Sequence, residues 1–147
     1  MNEVLIENWN SVVKPDDLVY HLGDVGMHEP SKYLKRLNGK KVLIKGNHDS
    51  PSQMKGCFEQ VLDSAVLEIG GNKVNLSHYP YRENVGPYDG KFIFKMTKDD
   101  GKWLLHGHTH NSTPKIFQKS INLSVEHWNY KPASEWDIID LMKEAVE

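Results

Sequence analysis

A chain of 147 residues, 38% of them hydrophobic, is long enough to bury one core without a disulfide or metal staple, and a single domain over residues 1–147 is expected. Lys and Arg number 18 against 20 Asp and Glu, a formal charge of −2, which excludes a broad basic surface that grips nucleic acid by its phosphates. The one cysteine, Cys57, excludes an internal disulfide framework, and the absence of a membrane-length apolar run or signal-peptide pattern leads to the expectation of a cytoplasmic protein without membrane attachment.

Residues 2–13 carry Val4, Leu5, Ile6, Trp9, Val12 and Val13, roughly one apolar face of a three-turn helix, with Pro15 just beyond its end. Residues 18–22 read as a buried strand running into Gly23-Asp24-Val25-Gly26. Asp24 therefore follows a strand's C-terminal end, the side on which open α/β sheets bind ligands. A second helix is expected from near Pro30 to Gly39, with Tyr33, Leu34 and Leu37 facing inward. Residues 40–45 form another short strand, again entering a polar turn, Gly46-Asn47-His48-Asp49, after which Ser50-Pro51 opens a short helical turn. Residues 61–69 and 73–76 flank Gly70-Gly71-Asn72 in the manner of a hairpin, and the second of these strands delivers Ser77-His78-Tyr79-Pro80.

Residues 81–101 turn polar, with Phe92-Ile93-Phe94 as their only apolar cluster, and read as a long surface excursion of the kind that serves as a lid or substrate-facing wall. Trp103-Leu104-Leu105-His106 is a short buried strand punctuated by Gly107. In the extended chain that follows, His108 and His110 are two apart and so can present their imidazoles to a common point. Residues 116–125 hold one or two further strands. Ser134, with the acidic Asp137 three residues on, opens a final helix in which Trp136, Ile138, Ile139, Leu141, Met142 and Val146 are available for burial.

Four strand ends thus carry Asp24, Asn47 with His48, His78, and His108 with His110. Each has a bland reading: an ordinary Gly-Asp turn, a turn before a capped helix, a core histidine, a solvated pair. Taken together they form a mixed oxygen and nitrogen donor set, suited to Mn, Fe, Zn or Ni rather than to soft thiolate metals. His21 and His106 face the same region without a matching ligand position and are read as outer partners or structural residues. Arg82, shortly after His78, is either a bidentate phosphate contact or a solvated surface arginine.

The motifs Gly23-Asp24, Gly46-Asn47-His48-Asp49, Ser77-His78 and Gly107-His108-Thr109-His110, in this order, resemble those of the calcineurin-like metallophosphoesterases, specifically the small bacterial and phage members. The flanks Asn8-Trp9-Asn10, Tyr20-His21-Leu22 and Asn129-Tyr130-Lys131-Pro132 look similar too, so the resemblance covers nearly the whole chain. It implies an α/β fold, a four-layer αββα sandwich with a dinuclear centre of two divalent transition metals at the strand ends. By that resemblance Asp24 bridges the metals, Asn47, His78 and His108 complete one of them, and His110 serves the other. His48 contacts the phosphoryl group and protonates the leaving oxygen, with Asp49 orienting it. The implied function is hydrolysis of a phosphomonoester or phosphodiester.

The sequence departs from the family in one respect: relatives begin with a strand ending in Asp-x-His, and no Asp-x-His occurs here. The first strand is accordingly expected to be missing, with one metal site reduced to Asp24 and His110. The alternatives are a catalytically impaired module that binds one metal or phosphate, or a structural protein whose exposed sheet strands pair with a second copy as a homodimer. The partners expected are a phosphate-ester substrate, no membrane and no broad nucleic-acid surface.

Overall fold

A computed structural model describes residues 2–23, 30–46, 56–81, 96, 98–107, 115–124, 127–128 and 130–146. The first helix, α1 (Asn2–Val12), turns Ile6, Trp9 and, just past its end, Val13 toward the core. Their spacing of three and four residues makes one stripe. Val4 and Val12, read from the sequence as part of that face, are instead exposed, because two residues before Ile6 lies about 200° around the helix and six after it about 240°.

The chain continues through β1 (Leu18–His21), α2 (Pro30–Lys35), β2 (Lys40–Ile44) and β3 (Gln60–Leu62). Helix α2 stops short of the expected Gly39. Its last turn tightens through Arg36 N–H to Tyr33 and Leu37 N–H to Leu34 carbonyls. The groups beyond are taken over by α1: Trp9 Nε1 donates to the Asn38 carbonyl at 2.9 Å, and Asn10 Nδ2 to the Arg36 carbonyl at 2.9 Å. Strands β1, β2 and β3 form a parallel sheet in that order.

A second sheet contains β4 (Ala65–Ile69), β5 (Asn72–Leu76), β6 (Trp103–His106), β7 (Ile116–Phe117) and β8 (Ser120–Asn122), in the order β4-β5-β6-β8-β7. Strands β5, β6 and β8 are parallel, and β4 and β7 pair antiparallel at the edges. Residues 61–69 are therefore not one strand: the chain leaves the first sheet after Leu62 and enters the second at Ala65. The expected hairpin is β4–β5. Its two-residue turn, Gly70-Gly71, has φ of 59° and 82°, the doubly positive conformation that glycine adopts without cost.

Alternation along β2 links the layers. Leu43 packs with Ile6, Leu34 and Leu37 of the helical layer, whereas Ile44, pointing the other way, joins Val74, Leu76, Trp103, Leu105 and Ile121 of the second sheet. Helix α3 (Glu135–Val146) adds Ile138 and Met142 to this inter-sheet cluster. The helix starts as expected, with Ser134 Oγ accepting from Asp137 N–H at 3.1 Å and Asp137 Oδ2 accepting from Ser134 N–H at 3.2 Å. Trp136 is 68% exposed rather than buried, since it sits about 200° around the helix from Ile138. The described residues form a mixed α/β sandwich of two sheets with three helices, and no helix among them is long and apolar enough to cross a membrane.

Candidate metal centre

The C-terminal ends of β1, β2, β5 and β6 converge across the two sheets. Gly23, just past β1, has φ of 100°, and a methyl group added there would lie 2.6 Å from Gly46 N, 2.7 Å from His78 Nδ1 and 2.8 Å from the Ile44 carbonyl oxygen. Only glycine fits that position, by conformation and by space. A methyl at Gly107, just past β6, would lie 3.6 Å from the Leu22 carbonyl oxygen and 3.8 Å from His78 Nδ1. The β5–β6 ladder runs into the same point: Ser77 N–H donates to the Leu105 carbonyl at 3.1 Å and Gly107 N–H to the His78 carbonyl at 3.0 Å.

His78 stands at the centre, 2% exposed, with Tyr79 edge-on at a centroid distance of 4.8 Å. Its Nδ1 lies 2.7 Å from the Leu22 carbonyl oxygen. A carbonyl only accepts, so Nδ1 carries the proton and the lone pair belongs to Nε2. Ligating histidines nearly always donate their other ring N–H in this way, which fixes ring orientation and makes the ligating nitrogen more basic.

Of the residues assigned from the sequence as metal ligands, catalytic groups or substrate contacts, His78 is the one that the structure places at this point. Asp24, Asn47, His48, Asp49, Arg82, His108 and His110 lie outside the described residues, as does Ser50-Pro51. Asp24, Asn47 and His108 are nevertheless each one peptide bond from a glycine of the cluster: Gly23, Gly46 and Gly107 respectively. Among the described residues no three His, Cys, Asp or Glu side chains gather as metal ligands. His21 is held between Trp9, stacked at 6.5 Å, and Phe58, edge-on at 6.4 Å, and its Nδ1 accepts from Gly23 N–H at 3.1 Å. Buried His106 donates from Nδ1 to the Gly107 carbonyl at 2.9 Å.

One group of polar residues escaped sequence reasoning. Tyr81, read as the start of a surface excursion, is 1% exposed, and its hydroxyl lies 2.6 Å from the Lys102 carbonyl and 3.1 Å from Asp100 Oδ1. Asn75 Nδ2, from β5, donates to Tyr81 Oη at 3.0 Å and to both Asp100 oxygens at 3.0 and 3.1 Å. The cluster clasps the two ends of the excursion to β5. Burial, reinforced by the Asp100 and Asp99 carboxylates against the opposing Asn75 bond, pushes the Tyr81 phenol up to about 12. For Asp100 burial acts upward, yet the hydrogen bonds from Asn75, from Lys102 backbone and side chain, and from Tyr81 hold the carboxyl well below the usual carboxylate range. The signal available in the sequence was Asn75, a polar side chain on a strand between buried Val74 and Leu76.

The chain is 35% identical over 160 residues to an uncharacterized protein of Methanocaldococcus jannaschii, covering 100% of this chain and 76% of that protein. It is 31% identical over 170 residues to the gene 66 protein of Mycobacterium phage L5, covering 97% and 81% of the two chains. Among solved structures, a protein of unknown function from Aquifex aeolicus is 32% identical and superposes with a TM-score of 0.71 over 95% of this chain and 84% of its own. A novel archaeal phosphodiesterase shares the fold at a TM-score of 0.53 and 20% identity, over 84% of this chain and 74% of its own. Residues 2–125 match the calcineurin-like phosphoesterase superfamily domain, and the chain belongs to that superfamily.

Proposed function

We propose that the chain is a metal-dependent phosphoesterase that hydrolyses a phosphomonoester or phosphodiester at a dinuclear centre on the converging strand ends. The observation that carries this reading is the packing of Gly23, Gly46, His78 and Gly107 into one point, each of the three glycines leading directly into a candidate ligand. The donor chemistry fits divalent transition metals: one carboxylate, one amide oxygen and neutral imidazoles, with His78 already in the tautomer that a ligand needs. Asp24 is assigned as the bridge, Asn47, His78 and His108 as ligands of one metal, and His110 as a ligand of the other. When bound, such a pair lowers the pKa of a shared water and neutralises charge on the phosphoryl oxygens.

The remaining work falls to the chain's own groups. His48, contacting the phosphoryl group, donates its imidazole proton to the leaving oxygen, and Asp49 holds that ring in the orientation and charge state needed. Arg82 has the planar fork that pairs with two oxygens of a phosphate. Proline at position 80 and the buried Tyr79 and Tyr81 around it fix the course of the chain between His78 and Arg82.

The test is hydrolysis of bis(p-nitrophenyl) phosphate and p-nitrophenyl phosphate by the purified chain with added Mn. General acid work is worth about 10²–10⁴-fold, so His48→Ala is expected to lose rate by that order while keeping its metal. Loss of metal from His48→Ala would make His48 a ligand and overturn the assignment of roles. Absence of metal-stimulated turnover on both substrates would overturn the enzymatic reading in favour of a metal- or phosphate-binding module.

A further inference from the structure

The Leu22–Gly23 peptide unit is engaged at both ends by histidines. Its N–H donates to His21 Nδ1 at 3.1 Å, and its carbonyl accepts from His78 Nδ1 at 2.7 Å. A trans peptide is planar, with N–H and C=O on opposite edges, so whatever fixes one edge fixes the direction of the other. We infer that His21 is a positioning residue: it locks the Leu22–Gly23 peptide plane, and through that plane sets the orientation and tautomer of His78. The inference rests on the assignment of His78 as a metal ligand.

Three observations make His21 suited to this role. Its ring is gripped by Trp9 and Phe58, whose interplanar angles of 28° and 80° confine it from two directions. Trp9 is itself tied by Nε1 to the Asn38 carbonyl, so the grip is anchored to the turn before β2. Because His21 Nδ1 accepts, its ring proton sits on Nε2, and the two histidines adopt opposite tautomers across one peptide. Hydrogen bonds on both edges of one peptide polarise it in the same sense, and each strengthens the other. Gly23, at φ 100°, cannot be replaced by a residue that would hold this conformation through its own side chain.

Two substitutions separate the acceptor from the ring. His21→Phe keeps an aromatic ring between Trp9 and Phe58 and removes the acceptor. His21→Asn removes the ring but keeps an oxygen where Nδ1 stood, in the manner of an Asx turn accepting from the N–H two residues on. Partners behind metal ligands contribute about 10–100-fold to metal affinity, so His21→Phe is expected to weaken Mn binding by that factor in calorimetric titration, with its Tm near that of the parent. His21→Asn is expected to bind Mn as the parent does despite a lower Tm. In the metal-free proteins, the Gly23 amide is expected to exchange with solvent about tenfold faster in His21→Phe, the loss of one hydrogen bond, and at the parent rate in His21→Asn.

Parent-like Gly23 exchange in His21→Phe, or equal losses of Gly23 protection in both variants, would overturn the inference. If the parent takes up no Mn, the metal-centre reading fails, and the exchange comparison still decides whether His21 locks the peptide. Should His21→Phe not fold, His21→Asn decides alone: faster Gly23 exchange there would refute the acceptor's role.

Discussion

Replacing Gly23 with alanine probes the convergence of strand ends directly. The added methyl would stand 2.6 Å from Gly46 N, 2.7 Å from His78 Nδ1 and 2.8 Å from the Ile44 carbonyl oxygen. Two of these neighbours are backbone and the third is a ring held by its own hydrogen bond, so none moves cheaply. Two costs add. A left-handed conformation costs a residue with a Cβ about 1–2 kcal/mol. Forcing a methyl into a filled space costs about 1–3 kcal/mol more, for a total of about 2–5 kcal/mol. Gly71 isolates the first term, since its φ is 82° and no described atom lies within 4 Å of a methyl placed there. At a urea m-value of about 2 kcal/mol/M, Gly23→Ala should lower the unfolding midpoint by roughly 1–2.5 M and Gly71→Ala by roughly 0.5–1 M. Midpoints that coincide would show that Gly46 and His78 do not close on Gly23, and the geometric basis of the proposed centre would fall with them.

Removing the Tyr81 hydroxyl by Tyr81→Phe strips the Lys102 carbonyl and Asn75 of a buried partner and should cost about 1–3 kcal/mol in the same denaturation assay; no change would mean that the clasp is not formed. Asp100, whose folded carboxyl is held below its unfolded value, contributes stability above the unfolded pKa of about 3.9 and loses that contribution as pH falls through the folded value. Asp100→Asn should therefore be destabilised relative to the parent at pH 7, with the gap shrinking in acid; a gap constant down to pH 2 would contradict the assignment. Ser134→Ala removes the N-cap acceptor of α3 and should cost about 1 kcal/mol by thermal or urea unfolding, restored in Ser134→Asp; equal stability of all three would mean that the cap is idle.

The parts of the structure legible in the sequence are those fixed locally. Short apolar runs that enter a glycine-led turn located β1, β2 and β6 and the points at which they end, and the Gly70-Gly71 turn located β5, because apolar runs and glycine punctuation are properties of a few adjacent residues. The reciprocal cap of Ser134 and Asp137 was legible for the same reason. The break after Leu62 was not, since a polar pair such as Asp63-Ser64 fits a step within one half-exposed strand as well as a link between two, and does not record which sheet each half joins. Nor was the exposure of Val4, Val12 and Trp136, since both apolar-rich helices offer more hydrophobic positions than their buried stripes use. At the site, the alignment of His78 with Gly23, Gly46 and Gly107 followed from motif order. The Tyr81, Asn75 and Asp100 cluster did not, because its members are up to 25 residues apart and no periodic pattern joins them.

The account rests most directly on His78 as a metal ligand, and elemental analysis of protein equilibrated with Mn and then desalted tests it. The parent is expected to retain divalent metal, and His78→Ala, which removes the buried imidazole whose Nδ1 is already committed to Leu22, is expected to retain well below the parent's content. Equal metal content in the two proteins, with the variant folded, would contradict the assignment of this strand-end cluster as a metal centre.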